Sequence, residues 1–421
     1  MKKYLLVLLY VPLFSMAQET LLLKSPSVST DKIAFAYGGN VWVADKDGSH
    51  PQQLTTRQSI EIRPMLSPNG KWIAFTGVYD SNGDVYVIPT TGGTPKRLTF
   101  HPGTDEVRSW DGNDKIVFSS QRESVHYLQL RLFEVDINTG KEQALPMPQA
   151  SQGSVSPDGT LTAYNQSMDV NEWAAFRLYR GGDMARIWIF NNKTHDIEEI
   201  PRGNSNNLSP VWTNTGFIYF LSDRDNHYVN IYKYNLKTKE VLAVTAYKDF
   251  DVKSLYSNGN QLAYEQGGKI FTLTPVDDQS THIPVYIATD MPSRRPYFAD
   301  AGDKIYNVNI SPTGVRAVME ARGEIVTIPA EKGDIRNLTN SPGINERDPA
   351  WSPDGKYIAY FSDEGGEYQL KIIDQKGEHS AATITLNAAD FYYHPVWSPD
   401  SKMIAFADKQ RKLVTIQVCK T

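Results

Sequence analysis

Residues 348–374 read DPAWSPDGKYIAYFSDEGGEYQLKIID, and the reading of this stretch decides the fold. Trp351 precedes a Ser-Pro-Asp-Gly turn, an alternating strand runs from Tyr357 to Phe361, and a polar turn leads to a second alternating strand from Leu370. Pro353 presets φ for the reversal and Gly355 brings no Cβ into it, so the flanking segments fold back on one another. The product is one unit of a β-meander.

Outward from this stretch the unit recurs. The residue ahead of each turn is apolar in all nine copies: Val28, Leu66, Trp110, Val155, Trp212, Tyr256, Ile310, Trp351 and Trp397. A second strand begins at Ile33, Ile73, Ile116, Thr162, Ile218, Leu262, Ala317, Ile358 and Ile404. A third begins at Val41, Val85, Leu132, Ile187, Ile231, Ile270, Ile325, Leu370 and Leu413, and several units close on a Leu-Thr pair, as at Leu54, Leu98 and Leu338. Ser311, Ser352 and Ser398 lie 41 and 46 residues apart, the period of a four-stranded propeller blade. The alternation has period two throughout, which is strand rather than helix.

The sequence therefore predicts an all-β chain: a six-bladed β-propeller over residues 18–300, followed by the first three blades of a second, incomplete β-propeller over 301–421. The boundary falls in Ala288–Lys304, where Pro292 and Pro296 interrupt the strand rhythm. Each blade depends on its neighbours for burial. Three blades cannot close a ring, so apolar strands such as Ile404–Phe406 and Leu413–Ile416 are expected to be exposed.

Composition narrows the function classes. With 22% charged residues and a net charge of −5, the chain has no basic footprint for nucleic acid. Residues 1–17, MKKYLLVLLYVPLFSMA, place Lys2 and Lys3 ahead of an apolar run and small residues Ser15 and Ala17 at its end. This order is that of a secretory signal peptide, so the mature chain is expected in the periplasm, with no membrane segment after its removal. The lone Cys419 forms no internal disulfide.

Catalytic signatures are absent. There is no Gly-x-Ser-x-Gly, His-Glu-x-x-His, phosphate loop or Gly-x-Gly-x-x-Gly, and the eight histidines have no ligand spacing, so no catalytic residue, metal or cofactor is assigned. Asp45–Gly48 and Asp80–Asp84 imitate calcium loops but lack the twelfth-position Glu and flanking helices, and read as hairpin turns. Two insertions leave the blade rhythm, at 120–130 with Arg122, Glu123 and His126, and at 167–184 with Arg177, Tyr179 and Arg180 ahead of Gly181-Gly182. Two guanidinium groups beside a permissive turn suit a carboxylate. Arg177, Tyr179 and Arg180 are thus peptide-binding candidates. A purely structural reading pairs these arginines with Asp169, Glu172 or Asp183.

At these motifs the chain resembles a known family. Ser311 to Ile372 looks like the start of the second propeller of bacterial tricorn protease homologues. Arg177-Leu-Tyr-Arg-Gly-Gly182 with Ile187-Trp188 resembles their blade-four insertion, and Phe391 to Asp400, FYYHPVWSPD, continues the match. The likeness covers essentially the whole mature chain. It implies a six-bladed propeller, a seven-bladed one and a catalytic region with a PDZ module, assembled into a hexameric serine peptidase whose propellers filter peptides. The family also places basic residues of the first propeller near the peptide carboxylate, and this resemblance adds the region of Arg122 to the peptide-binding candidates. No family nucleophile, base or oxyanion residue maps onto this chain. The implied partners are peptides, a catalytic region not on this chain, or other copies of the chain in a homo-oligomer. The expected role is a non-catalytic front portion that guides peptides, inactive by itself. Two other classes stay open: a stand-alone TolB-like, WD40-like interaction propeller of the periplasm, and a propeller lyase or glycosidase with channel carboxylates.

Overall fold

The structure is a computed structural model that describes residues 18–56, 60–79, 82–124, 129–166, 179–225, 228–289, 300–386 and 390–418. The chain divides into two compact units, Met1–Arg294 and Arg295–Thr421. Among the described residues the first unit holds six antiparallel four-stranded sheets, each made of four consecutive strands. Their first strands are Lys24–Val28, Ile60–Leu66, Asp105–Asp111, Gln152–Val155, Asn207–Trp212 and Val252–Ser257. Each packs on the first strand of the next sheet, and that of the sixth sheet packs on that of the first. The first strands thus surround a common axis. The second unit holds two four-stranded sheets and a three-stranded one, here the seventh to ninth, with first strands Ile305–Ile310, Glu346–Trp351 and Tyr392–Trp397.

The repeated motifs have local causes. In the Ser-Pro-Asp-Gly turn, Ser352 Oγ donates to Asp354 (2.6 Å) and accepts the N–H of Tyr357 (2.9 Å), while Asp354 accepts the N–H of Lys356 (3.1 Å). Gly355 sits at φ 72°, the left-handed region open to it without a Cβ. The same Ser–Asp lock recurs at Ser156 with Asp158 and Ser398 with Asp400. Donation from Ser156, then from Thr160, holds the Asp158 carboxyl down at about 2.

The Leu-Thr pair, where a unit carries one, closes its sheet in two ways. Leu98 and Leu338 are buried between sheets. Thr55, Thr99 and Thr339 accept the N–H groups of Val41, Val85 and Ile325 at 2.9, 3.0 and 3.1 Å, where the short fourth strand has ended. Their hydroxyls donate in turn to Glu61, Asp84 and Glu324.

Burial follows strand parity. Val28, Leu66, Trp110, Trp212, Tyr256, Trp351 and Trp397 are buried between sheets, and Val155 is half-buried. The polar ends of two of these rings meet a carbonyl of the preceding first strand, Trp110 Nε1 donating to Met65 O (2.8 Å) and Trp397 Nε1 to Ala350 O (3.1 Å), and the Tyr256 hydroxyl reaches across to donate to Leu66 O. Ile310 breaks the column, being 67% exposed. The expectation that Ile404–Phe406 would be exposed is corrected here, because Ile404 and Phe406 are buried against Ala350, Ala359, Phe361 and Leu370 of the eighth sheet. The open face of the ninth sheet is the other one, which carries Val396 and Leu413.

Candidate functional site

The first strands of the first unit converge on a narrow cavity of about 50 Å³ on the axis. Each sheet contributes to its lining, through Ser25, Arg63, Arg108, Gln152, Ser209 and Lys253. A bulge aims several of these residues. The pairing register shifts between Lys24 and Ser27, between Ile62 and Met65, and between Leu208 and Val211. Ser25, Arg63 and Ser209 take φ values of 48°, 54° and 51° there. Such a conformation is uncommon for residues with a Cβ. It recurs in the second unit at Asn307, Asp348 and His394, which makes it a property of the repeat. The signal was present in the sequence as an X-Pro pair three and two residues ahead of the apolar column: Ser25-Pro26, Arg63-Pro64, Ser209-Pro210, Asp348-Pro349 and His394-Pro395. Proline is tolerated because the first strand is a sheet edge facing the axis.

The neck is polar, and the charged residues that line it are the cations Arg63, Arg108 and Lys253, each with a carboxylate near by or behind it. Glu106 lies between Arg63 and Arg108, accepting from Arg63 Nε and from Arg108 Nη2 (2.7 Å). Burial opposes ionisation of Glu106, but Arg108 and then Arg63 outweigh it, and the carboxyl lies below its ordinary range. Arg108 Nε also donates to Ser119 Oγ (2.8 Å). Gln152 Oε1 accepts from Ser209 N (3.0 Å) and Ser209 Oγ (3.1 Å). Lys253 Nζ stands 4.0 Å from Asp251, and Ser25 N donates to Glu265 at 3.1 Å. Burial pushes the Glu265 carboxyl up, against that hydrogen bond and the charges of Lys24 and Lys253. A space of this size holds one or two water molecules, at about 30 Å³ each, and no peptide chain.

At the end of the ring marked by the Gly38-Gly39 turn the neck opens into a vestibule of about 890 Å³. Ser25 and Arg63 line both spaces. Leu21, Leu22, Tyr37 and Ile60 supply apolar wall, and Lys24 and Glu61 supply charge. Leu22 and Ile60 are 69% and 61% exposed.

Arg122, Tyr179 and Arg180, singled out from the sequence, are not among the lining residues of either space. Arg122 is packed into the third sheet, its guanidinium 5.2 Å from the ring centres of both Phe118 and Phe133 and paired with Asp105 and Glu142. Arg224 repeats this arrangement in the fifth sheet over Phe220 and Tyr232, so an arginine after the second strand is a blade-stabilising device. Arg180 Nη1 donates to Asp223 (2.7 Å) and to the Tyr179 carbonyl (3.0 Å). Buried Asp223 also accepts from Asn206 N and Nδ2, at 2.8 and 3.0 Å. This partner is 43 residues away in sequence and not among the acids considered above. Tyr179 folds over Gly181, where an added Cβ would stand 2.1 Å from the phenolic oxygen. Arg177 and His126 lie outside the described residues, as do Asp169 and Glu172. Of the calcium-like turns, Asp45 is occupied by Lys32 (2.6 Å) and His50 (2.7 Å), and Asp84 by Arg97 (2.7 Å). Among the described residues no group of three or more His, Cys, Asp or Glu is placed to hold a metal ion.

Residues 20–279 match the family model described as the tricorn protease N-terminal beta propeller domain. The chain belongs to this tricorn propeller family. A tricorn protease homolog of Saccharolobus solfataricus is 23% identical over 357 residues, which are 84% of this chain and 32% of the relative. A Sulfurisphaera tokodaii protein named for a tricorn-like protease N-terminal subunit is 26% identical over 173 residues, 40% of this chain and 86% of that protein. The crystal structure of the tricorn protease superposes with a TM-score of 0.59 at 17% identity, over 93% of this chain and 47% of that one. At that identity the superposition establishes the propeller fold alone. The tricorn propeller chain spans about a third of the length of its Saccharolobus relative.

Proposed function

We propose that this chain is the non-catalytic N-terminal propeller portion of a tricorn-like serine peptidase, a six-bladed ring over 18–300 followed by three blades of a second ring, and that it receives peptides for filtering or guidance. In this reading residues 1–17 direct export to the periplasm and are removed. The catalytic region lies outside these residues, and a Sulfurisphaera relative carries the name of a tricorn-like protease N-terminal subunit. The observation that carries the reading is the junction of vestibule and neck at Ser25 and Arg63. Peptide side chains meet Leu21, Leu22 and Ile60, while a terminal carboxylate is drawn to Arg63, Arg108 and Lys253. Tyr179 and Arg180 hold the rim of the ring.

The test is binding of short fluorescent peptides to the mature chain, each with a free and with an amidated C-terminus. A charge-assisted contact contributes about 1.5 to 3 kcal/mol, so amidation is expected to weaken binding about tenfold or more. Lys253→Ala, which removes a half-exposed cation, weakens the free-acid peptide selectively. Equal affinity for both peptide forms refutes the carboxylate assignment, and the absence of any binding refutes peptide reception itself.

A further inference from the structure

Part of the vestibule wall is the stretch Gln18, Glu19, Thr20, Leu21 and Leu22. From its second residue onward this stretch is anchored to the sixth sheet and the segment after it. Glu19 meets His282 Nε2 at 2.6 Å and Lys269 Nζ at 3.3 Å. Thr20 N donates to Val285 O (2.9 Å), and Thr20 Oγ1 accepts the N–H of Ile287 (2.8 Å). Gln18 differs from both. It is exposed, and among the described residues no hydrogen bond or ion pair holds it. In the sequence it follows Ser15-Met16-Ala17, the small-residue pattern at which the leader ends.

We propose that Gln18 becomes the first residue of the mature chain and closes on itself to pyroglutamate. Hydrolysis of the Ala17–Gln18 peptide bond by a leader peptidase and water frees the Gln18 α-amino group. That nitrogen attacks the side-chain amide carbon Cδ and forms a C–N bond, which gives a five-membered lactam. The Cδ–Nε2 bond breaks, and Nε2 leaves as ammonia with the proton that the attacking amine gives up. No oxidant or reductant is needed. The ring size is available only to a glutamine that itself carries the free amine, because nucleophile and carbonyl belong to one residue. The Gln18 amide has no partner to lose, and its exposure leaves it open to a cyclising enzyme. Anchoring at Glu19 and Thr20 leaves Gln18 free to turn, yet fixes the product on the same wall as Leu21 and Leu22.

The inference rests on leader removal as proposed above, and it changes the chemistry of the vestibule. An open chain start is an ammonium that titrates at about 7.7 to 8.0, and on this wall it competes with Arg63 for a peptide carboxylate. The lactam is neutral, so Lys24 and Arg63 remain the cations of the vestibule lining. It also offers no amine to an aminopeptidase, which protects the anchoring residues Glu19 and Thr20 from trimming.

The experiment is mass spectrometry of the full chain, secreted with its own residues 1–17 from a bacterial host, beside Gln18→Asn, whose amide can close only a strained four-membered ring. The parent is expected to start at residue 18, to lack the mass of one ammonia and to give no Edman cycle. Pyroglutamyl aminopeptidase, applied to the unfolded parent, is expected to expose Glu19 as the first readable residue. Gln18→Asn is expected at full mass with a readable first residue; loss of ammonia from this variant too overturns the assignment to Gln18. A parent that starts at Gln18 and keeps its ammonia through prolonged warm incubation overturns the cyclisation and leaves the export reading standing. A start at another residue also overturns it, and a chain that retains residues 1–17 overturns export and cyclisation together.

Discussion

Replacing Glu106 with Gln removes the anion held between Arg63 and Arg108 while preserving its shape. In the parent the three side chains are 19%, 17% and 6% exposed, so the charges are largely withdrawn from solvent. Loss of one partner from a buried ion pair costs about 3 to 5 kcal/mol, because the remaining charge is stranded. Gln still accepts one hydrogen bond, which puts the expected loss near the lower end, about 3 kcal/mol, or a fall in Tm of about 6 to 12 °C for a unit of this size. Proton linkage adds a second signature. The folded-state pKa of Glu106 lies below its unfolded value, so its stabilisation is complete above that unfolded value and is lost as pH falls through the folded one. With an unfolded pKa of about 4.3, the gap between parent and Glu106→Gln is therefore constant from neutral pH down to about 5 and closes below about 4. Urea denaturation of both chains across that range, followed by tryptophan fluorescence, measures it. Equal midpoints at neutral pH, or a gap that does not shrink on acidification, would refute the account of the neck. The same variant removes one negative charge from beside Arg63 and Arg108, so its affinity for free-carboxylate peptides is expected to rise while its stability falls.

Other expectations follow from packing and pairing. Trp212→Ala removes an aromatic packed against Ala163, Ile187 and Ile189 and should cost about 3 to 5 kcal/mol in denaturant unfolding. Arg180→Ala deprives buried Asp223 of its cation and should lower stability by about 1 to 3 kcal/mol without changing peptide affinity; a large affinity loss at constant stability would instead make Arg180 a peptide contact. The purified chain should not turn over short peptides, and activity abolished by a serine-directed covalent inhibitor would contradict its assignment as a non-catalytic portion. Limited proteolysis of dilute protein should degrade the second unit first and leave a resistant core ending near Ala288–Lys304, since the exposed strand Ile305–Ile310 offers little burial to resist opening.

Period and turn chemistry made the strands legible, because both are local. Trp351, Pro353, Asp354 and Gly355 lie within five consecutive residues, and their contacts can be anticipated without knowing where the next sheet is. The open face of the ninth sheet was misread for a related reason. Alternation shows that Ile404 and Phe406 share a face, and that Ala405 and Ala407 share the other. Only the position of the eighth sheet decides which of the two is covered. The neck was missed because its residues come from six strands roughly a blade apart, each looking like an ordinary edge residue. The repeated X-Pro pairs were visible, but their meaning lies in a bulge that turns the preceding side chain toward the axis. Arg122 and Arg180 attracted attention as charged residues in insertions. Their partners, Glu142 and Asp223, lie 20 and 43 residues further along, beyond the reach of local pattern.

Among the described residues of the first unit no sheet borrows a strand from the far end of the chain, and the seam between the sixth and first sheets is made by packing together with hydrogen bonds such as Thr20 N to Val285 O (2.9 Å) and Leu23 N to Gly268 O (3.3 Å). A propeller latched by a shared strand has one obligatory starting point; this one does not. Thr20 and Val285 are already adjacent, so a short linker can join them, and the chain can be reopened between any two sheets without dividing one. Circular permutants that begin at Phe100 or Phe250, both exposed between sheets, should therefore fold to the same ring. The order in which the blades are encoded is then a matter of gene arrangement, and the ring itself is indifferent to it.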